Sequence, residues 1–66
     1  MDIQKYFVHF SGIILGAEHR LKSEIYDSEI IWFFLISYLS QEKVDQIKVY
    51  KQDFISGYNY AKYVDI

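Results

Sequence analysis

Cysteine and proline are both absent from this 66-residue chain, and glycine occurs only three times. The missing cysteines remove disulfides and thiolate metal sites together, and fit a reducing compartment. Two histidines, His9 and His19, stand ten residues apart, so a structural zinc site would have to recruit several carboxylates. No metal and no cofactor is expected. A chain this short makes one domain, residues 1–66, whose single core supplies only a few kcal/mol of net stability unless a partner subunit adds to it. With disulfides and metals excluded, self-association as a homodimer is the expected reinforcement.

Charge of one sign is lacking as well. Seven basic and nine acidic residues leave a formal charge of −2, scattered without any run. A phosphate-binding surface needs clustered Lys and Arg, because each neutralised phosphate releases counterions. Nucleic acid is therefore not the expected partner, and the contacts for that alternative would be Lys48 and Lys51 beside Tyr50. The acids are also too dispersed in sequence to announce a mimic of nucleic acid. The longest apolar run, Ile30 to Leu39 broken only by Ser37, is about half the ~20 residues that a membrane span requires. The opening "MDIQKYFVHF" carries an acid at position 2 and alternates, unlike a secretory signal. The expected location is the cytoplasm, with no membrane partner.

What the chain does have is apolar and aromatic content. Hydrophobic residues make up 52% and aromatic residues 20%, more than a disordered chain carries, so a folded core is expected. "IQKYFVHFSG" alternates Tyr6, Val8 and Phe10 against Lys5, Phe7, His9 and Ser11, which predicts a first strand over about Ile3 to Ser11. "SGIILG" follows as a connection, its Gly12 and Gly16 suited to turns, with Ile13 to Leu15 either opening strand 2 or lying as an apolar loop over the core. Residues 17–26 fit two patterns. As a strand they put His19, Leu21, Ser23 and Ile25 on one face. As a helix they align Ala17, Leu21 and Ile25, with Glu18 to Lys22 and Arg20 to Glu24 as ion pairs. Strand is preferred, because "YDSE" is a good helix start and neither Gly nor Pro stands before it to end an earlier helix.

Asp27 or Ser28 caps the next element, with Glu29 at the positive end of its dipole, and a helix is expected to run to about Glu42. Nearly all of its faces are apolar, and a helix apolar all round is buried all round. One side should pack on the chain's own sheet, and the side bearing Trp32, Phe33 and Ile36 on a second copy or a target. Val44, Ile47 and Val49 mark a third strand; the helical alternative aligns Ile47, Tyr50 and Phe54. The tail carries Tyr58, Tyr60 and Tyr63, then Val64 and Ile66, and is expected to dock as an edge strand or in a partner groove. The expected fold is α+β, a short antiparallel β-β-α-β sheet on one strongly apolar helix.

No serine stands in a G-x-S-x-G context, and "GIILG" lacks the lysine and helix start of a phosphate loop. His9, His19, Asp45 and Asp53 have no partner fixed by spacing, so catalysis is not expected. Seven tyrosines are the remaining anomaly, since tyrosine offers large contact area at low rotamer cost. The candidate interface is Trp32, Phe33, Ile36, Tyr58, Tyr60 and Tyr63.

The order strand, strand, helix, strand, opening "KYFVHFSG" and closing its helix before "IKVYKQDFI", resembles over residues 3–55 small proteins encoded by phages of low-GC bacteria. The dimeric inhibitor of uracil-DNA glycosylase and small inhibitors of host defence systems are of this kind. The resemblance implies a non-catalytic protein that occupies a surface of a larger host protein.

Overall fold

The computed structural model describes residues 3–24 and 26–63. It has four α-helices and a 3-10 turn: α1 (Ile3–Leu21), α2 (Ser28–Ser37), α3 (Gln41–Ile47), the turn at Lys48–Tyr50, and α4 (Lys51–Tyr63). No strand occurs among the described residues. The expected α+β fold with its antiparallel sheet is therefore wrong: the first and third strands are helical, and the second is helical as far as Leu21. Val64 and Ile66, expected to dock as an edge strand, lie outside the described residues, as does Ile25.

The first strand failed because its alternation covers only seven residues, Lys5 to Ser11, of a 19-residue helix. Over the longer span, Val8, Gly12 and Gly16 recur at four-residue intervals and are the buried residues of α1, as one helical face requires. The two glycines are not turn residues. Each lies where α4 comes down onto α1: a Cβ on Gly12 would sit 2.4 Å from the carbonyl oxygen of Phe54, and one on Gly16 would sit 2.3 Å from that of Tyr58. α4 reciprocates with Gly57, where a Cβ would lie 2.6 Å from the carbonyl oxygen of His9. Small residues four apart on both helices, Gly12 and Gly16 against Gly57 and Ala61, let the backbones touch. Because Gly12 meets Phe54 and Gly16 meets Tyr58 and Ala61, the two helices run parallel.

The helical alternative for residues 17–26 was the better one as far as Leu21. Lys22 pairs with Glu18 at 2.9 Å, one of the two ion pairs that alternative foresaw. The helix ends without glycine or proline because Ser23 takes the left-handed conformation at φ 56°. Ser23 N–H then donates to Arg20 O at 3.1 Å and Glu24 N–H to His19 O at 2.9 Å, the paired bonds of a Schellman ending.

Asp27 caps α2, its carboxylate accepting from Glu29 N–H at 2.8 Å. The helix stops at Ser37 rather than Glu42, because Ser40 is extended and its hydroxyl caps α3 by accepting from Lys43 N–H. A serine that can satisfy the first turn of a new helix competes with continuation of the old one. The expected third strand is α3 and the 3-10 turn, and the helical alignment of Ile47, Tyr50 and Phe54 points inward, with Ile47 and Phe54 buried.

The core is Val8, Ile31, Trp32, Ile47, Phe54 and Tyr58. Phe54 lies between Trp32 and Tyr58, at ring-centroid distances of 5.4 and 6.3 Å. α4 is thus the shared element, gripping α1 on one side and α2 on the other. The Cα trace measures 35 × 26 × 14 Å, a slab with little interior, so much of the apolar content stays outside.

Candidate interaction surfaces

The six residues expected to form an interface separate into three groups. Trp32 is 3% exposed and Tyr58 0%, so both belong to the chain's own core. Ile36 is half-buried against that core. Phe33, Tyr60 and Tyr63 are exposed, Phe33 on α2 and the two tyrosines on α4. Phe33 is turned away from the core and carries the ammonium of Lys51 over its ring at 5.8 Å.

Sequence reasoning missed the larger feature, a groove between α1 and α2. α2 rests on α4 far less extensively than α1 does, and touches α1 less still, which leaves two open pockets that share Leu35. One, of about 450 Å³, is bounded by Leu15 and His19 of α1 and by Ile31, Phe34 and Tyr38. The other, of about 350 Å³, is bounded by Ile3 and Phe7 of α1, by Leu39, and by Lys43 and Ile47 of α3. Phe7, Phe34 and Tyr38 stand exposed at the rims. The unbroken apolar character of α2 was the available signal. What it could not show is which helix would cover it, since that depends on the glycine contact that ties α4 to α1.

Both histidines have structural work. His9 Nδ1 lies 3.0 Å from the Asp53 carbonyl oxygen; a carbonyl only accepts, so Nδ1 bears the proton. His19 Nδ1 lies 2.6 Å from the Tyr58 hydroxyl, and its ring packs on Tyr26 at 5.0 Å. Lys62, buried on α4, donates to the Tyr26 carbonyl and lies over the Tyr58 and Tyr63 rings, pinning the α1–α2 connection to α4. Asp45 bonds Gln41 and Lys48, which hold its carboxyl below the usual range.

Comparison with protein-family models, curated proteins and solved structures finds no match. Nothing is inherited from a relative. The element order behind the resemblance to phage inhibitors is replaced by helices. Among the described residues no group of acidic and histidine side chains could hold a metal ion, and no helix is long and apolar enough to cross a membrane. The two cations expected as contacts for nucleic acid are engaged: Lys48 with Asp45 at 3.3 Å and Lys51 with Glu29 at 2.8 Å.

The buried Tyr58 makes stability pH-dependent on the alkaline side. Burial pushes its phenol above the ordinary tyrosine value, with the neighbouring Tyr63, Tyr26 and Glu24 adding to the effect, and Tyr26 is raised by its bond to Glu24. Above about pH 10, the unperturbed tyrosine value, the unfolded chain loses protons that the folded chain retains, so stability falls as pH rises. Thermal midpoints should be level through neutral pH and decline above pH ~10. In Tyr58→Phe the decline should be shallower; an unchanged slope would place the proton elsewhere.

Proposed function

We propose that this protein is a non-catalytic protein–protein binding module that works in the cytoplasm by covering a surface of a larger protein, as a phage-borne inhibitor of a host nuclease, repair or defence enzyme would. The supporting observation is the groove between α1 and α2: two apolar pockets meeting at Leu35, rimmed by exposed Phe7, Phe34 and Tyr38. Concave apolar sites flanked by exposed aromatics are where binding energy concentrates. The groove suits an apolar helical or extended segment that places one side chain on each side of Leu35.

The rim residues separate binding from folding. Tyr38 is 87% exposed, and surface truncation of this kind usually changes stability by no more than ~0.5 kcal/mol. A tagged chain passed over a lysate of a bacterial host should retain one protein at fixed stoichiometry. Phe34→Ser and Tyr38→Ser should weaken that complex at least about tenfold, the ~1.4 kcal/mol of a modest hot spot, with circular dichroism unchanged. Equal retention by both variants would remove the groove from the reading.

A further inference from the structure

The outward face of α1 carries a further apolar pattern, which shares Ile3 and Phe7 with one edge of the groove. Ile3, Phe7, Phe10, Ile14, Ala17 and Leu21 recur at steps of four, three, four, three and four along the whole helix. That spacing is a strict heptad seam, narrower than the broad stripe by which a helix packs into a globular core. It lies on the opposite side of α1 from Gly12 and Gly16, so α4 does not cover it. The five large side chains are between 57% and 81% exposed. The solvent face of α4, with Gln52, Ser56, Tyr60 and Tyr63, is polar or amphipathic by contrast.

We infer that this seam pairs with α1 of a second copy of the chain, the two helices running antiparallel about a two-fold axis near Gly12. The dimer contact expected on α2 is thereby moved to α1, which covers the Ile3 and Phe7 edge of the groove and leaves the pocket at Leu15, Phe34 and Tyr38 free for another partner. Antiparallel alignment closes every layer: Ile3 on the partner's Leu21, Phe7 on the partner's Ala17, and Phe10 on the partner's Ile14. The one small residue of the seam falls opposite a phenylalanine. Flanking positions agree, with Glu18 facing the partner's Gln4, Arg20 the partner's Tyr6, and Ser11 and Ile13 meeting their own copies. No like charges meet. Parallel pairing would set Glu18 against the partner's Ile13 and leave a carboxylate beside an apolar side chain. The area is adequate too. Taking the roughly 200 Å² of a phenylalanine as the upper bound for each large side chain, the exposed seam offers at most about 700 Å² per protomer, against ~800 Å² per partner in a standard interface.

The intact chain tests this directly. Sedimentation equilibrium across the micromolar range should return twice the 7.9 kDa chain mass, and Ile14→Glu, at an exposed position, should return the single mass with the same helical spectrum. Orientation follows from introduced cysteines, since the chain has none of its own. A Phe7→Cys chain mixed with an Ala17→Cys chain should oxidise to a mixed dimer, while each alone should not, because residues paired with themselves would stand about 15 Å apart at 1.5 Å per residue. Cross-linking of each chain by itself would mean parallel pairing and overturn the alignment. A wild-type chain that stays monomeric at 100 μM, or that co-floats with phosphatidylcholine vesicles as a monomer, would overturn the dimer and give the seam to a membrane surface in the second case.

Discussion

Gly12→Ala and Gly16→Ala should each destabilise the fold, and the double variant should not fold. Alanine is the better helix former by about 1 kcal/mol, so at an ordinary helical position both changes would raise the melting temperature. Here the added methyl meets main chain, the carbonyl oxygen of Phe54 at 2.4 Å or that of Tyr58 at 2.3 Å. A backbone carbonyl inside a helix has no rotamer with which to move aside, so α4 as a whole must shift outward. Overpacking of this kind typically costs about 1–3 kcal/mol, and the total stability of so small a domain is only about 3–5 kcal/mol. The contrast is measurable: a peptide of residues 3–21 becomes more helical with each substitution, while the full chain melts lower. A full chain that melts higher would mean that α1 and α4 are not in backbone contact.

Removal of the central aromatic side chain is the second large effect. Phe54 is 0% exposed and lies between Trp32 and Tyr58, and it is the point where α1, α2 and α4 meet. Phe54→Ala deletes a ring that the slab cannot collapse to replace, a change that costs about 3–5 kcal/mol in other proteins. Trp32→Ala should cost about the same, because that indole is inside the chain's own core. Both variants should show lost near-ultraviolet dichroism and no cooperative melt at 25 °C. A cooperative transition in Trp32→Ala would place the indole at the surface, where the sequence alone left it a candidate contact.

Several local features were legible in the residues themselves. Asp27 and Glu29 marked the start of α2, Glu18 and Lys22 formed one of the ion pairs of the helical alternative, and Ile47, Tyr50 and Phe54 lay in the helical register set aside for a strand. The misreadings share one cause: short windows. Over Lys5 to Ser11, period-2 and period-3.6 patterns accept the same aromatic residues, and only the full 19 residues of α1 separate them. "GIILG" reads as a connection because glycine permits turns. Its spacing, repeated as "GYNYA" at Gly57 and Ala61, also fits two helices that need to touch.

The sequence by itself determined a core-forming chain without disulfides, a helix start at Asp27, and more apolar surface than so short a chain can bury. Those properties follow from composition and from contacts only a few residues apart. Tertiary structure alone decided which apolar side chains are core and which are surface. Trp32 went inward and Phe33 outward because α4 is held against α1 through Gly12, Gly16 and Gly57, and α2 could cover only the side of α4 that remained. That choice is made by main-chain atoms some forty residues apart in sequence, where no local periodicity reaches.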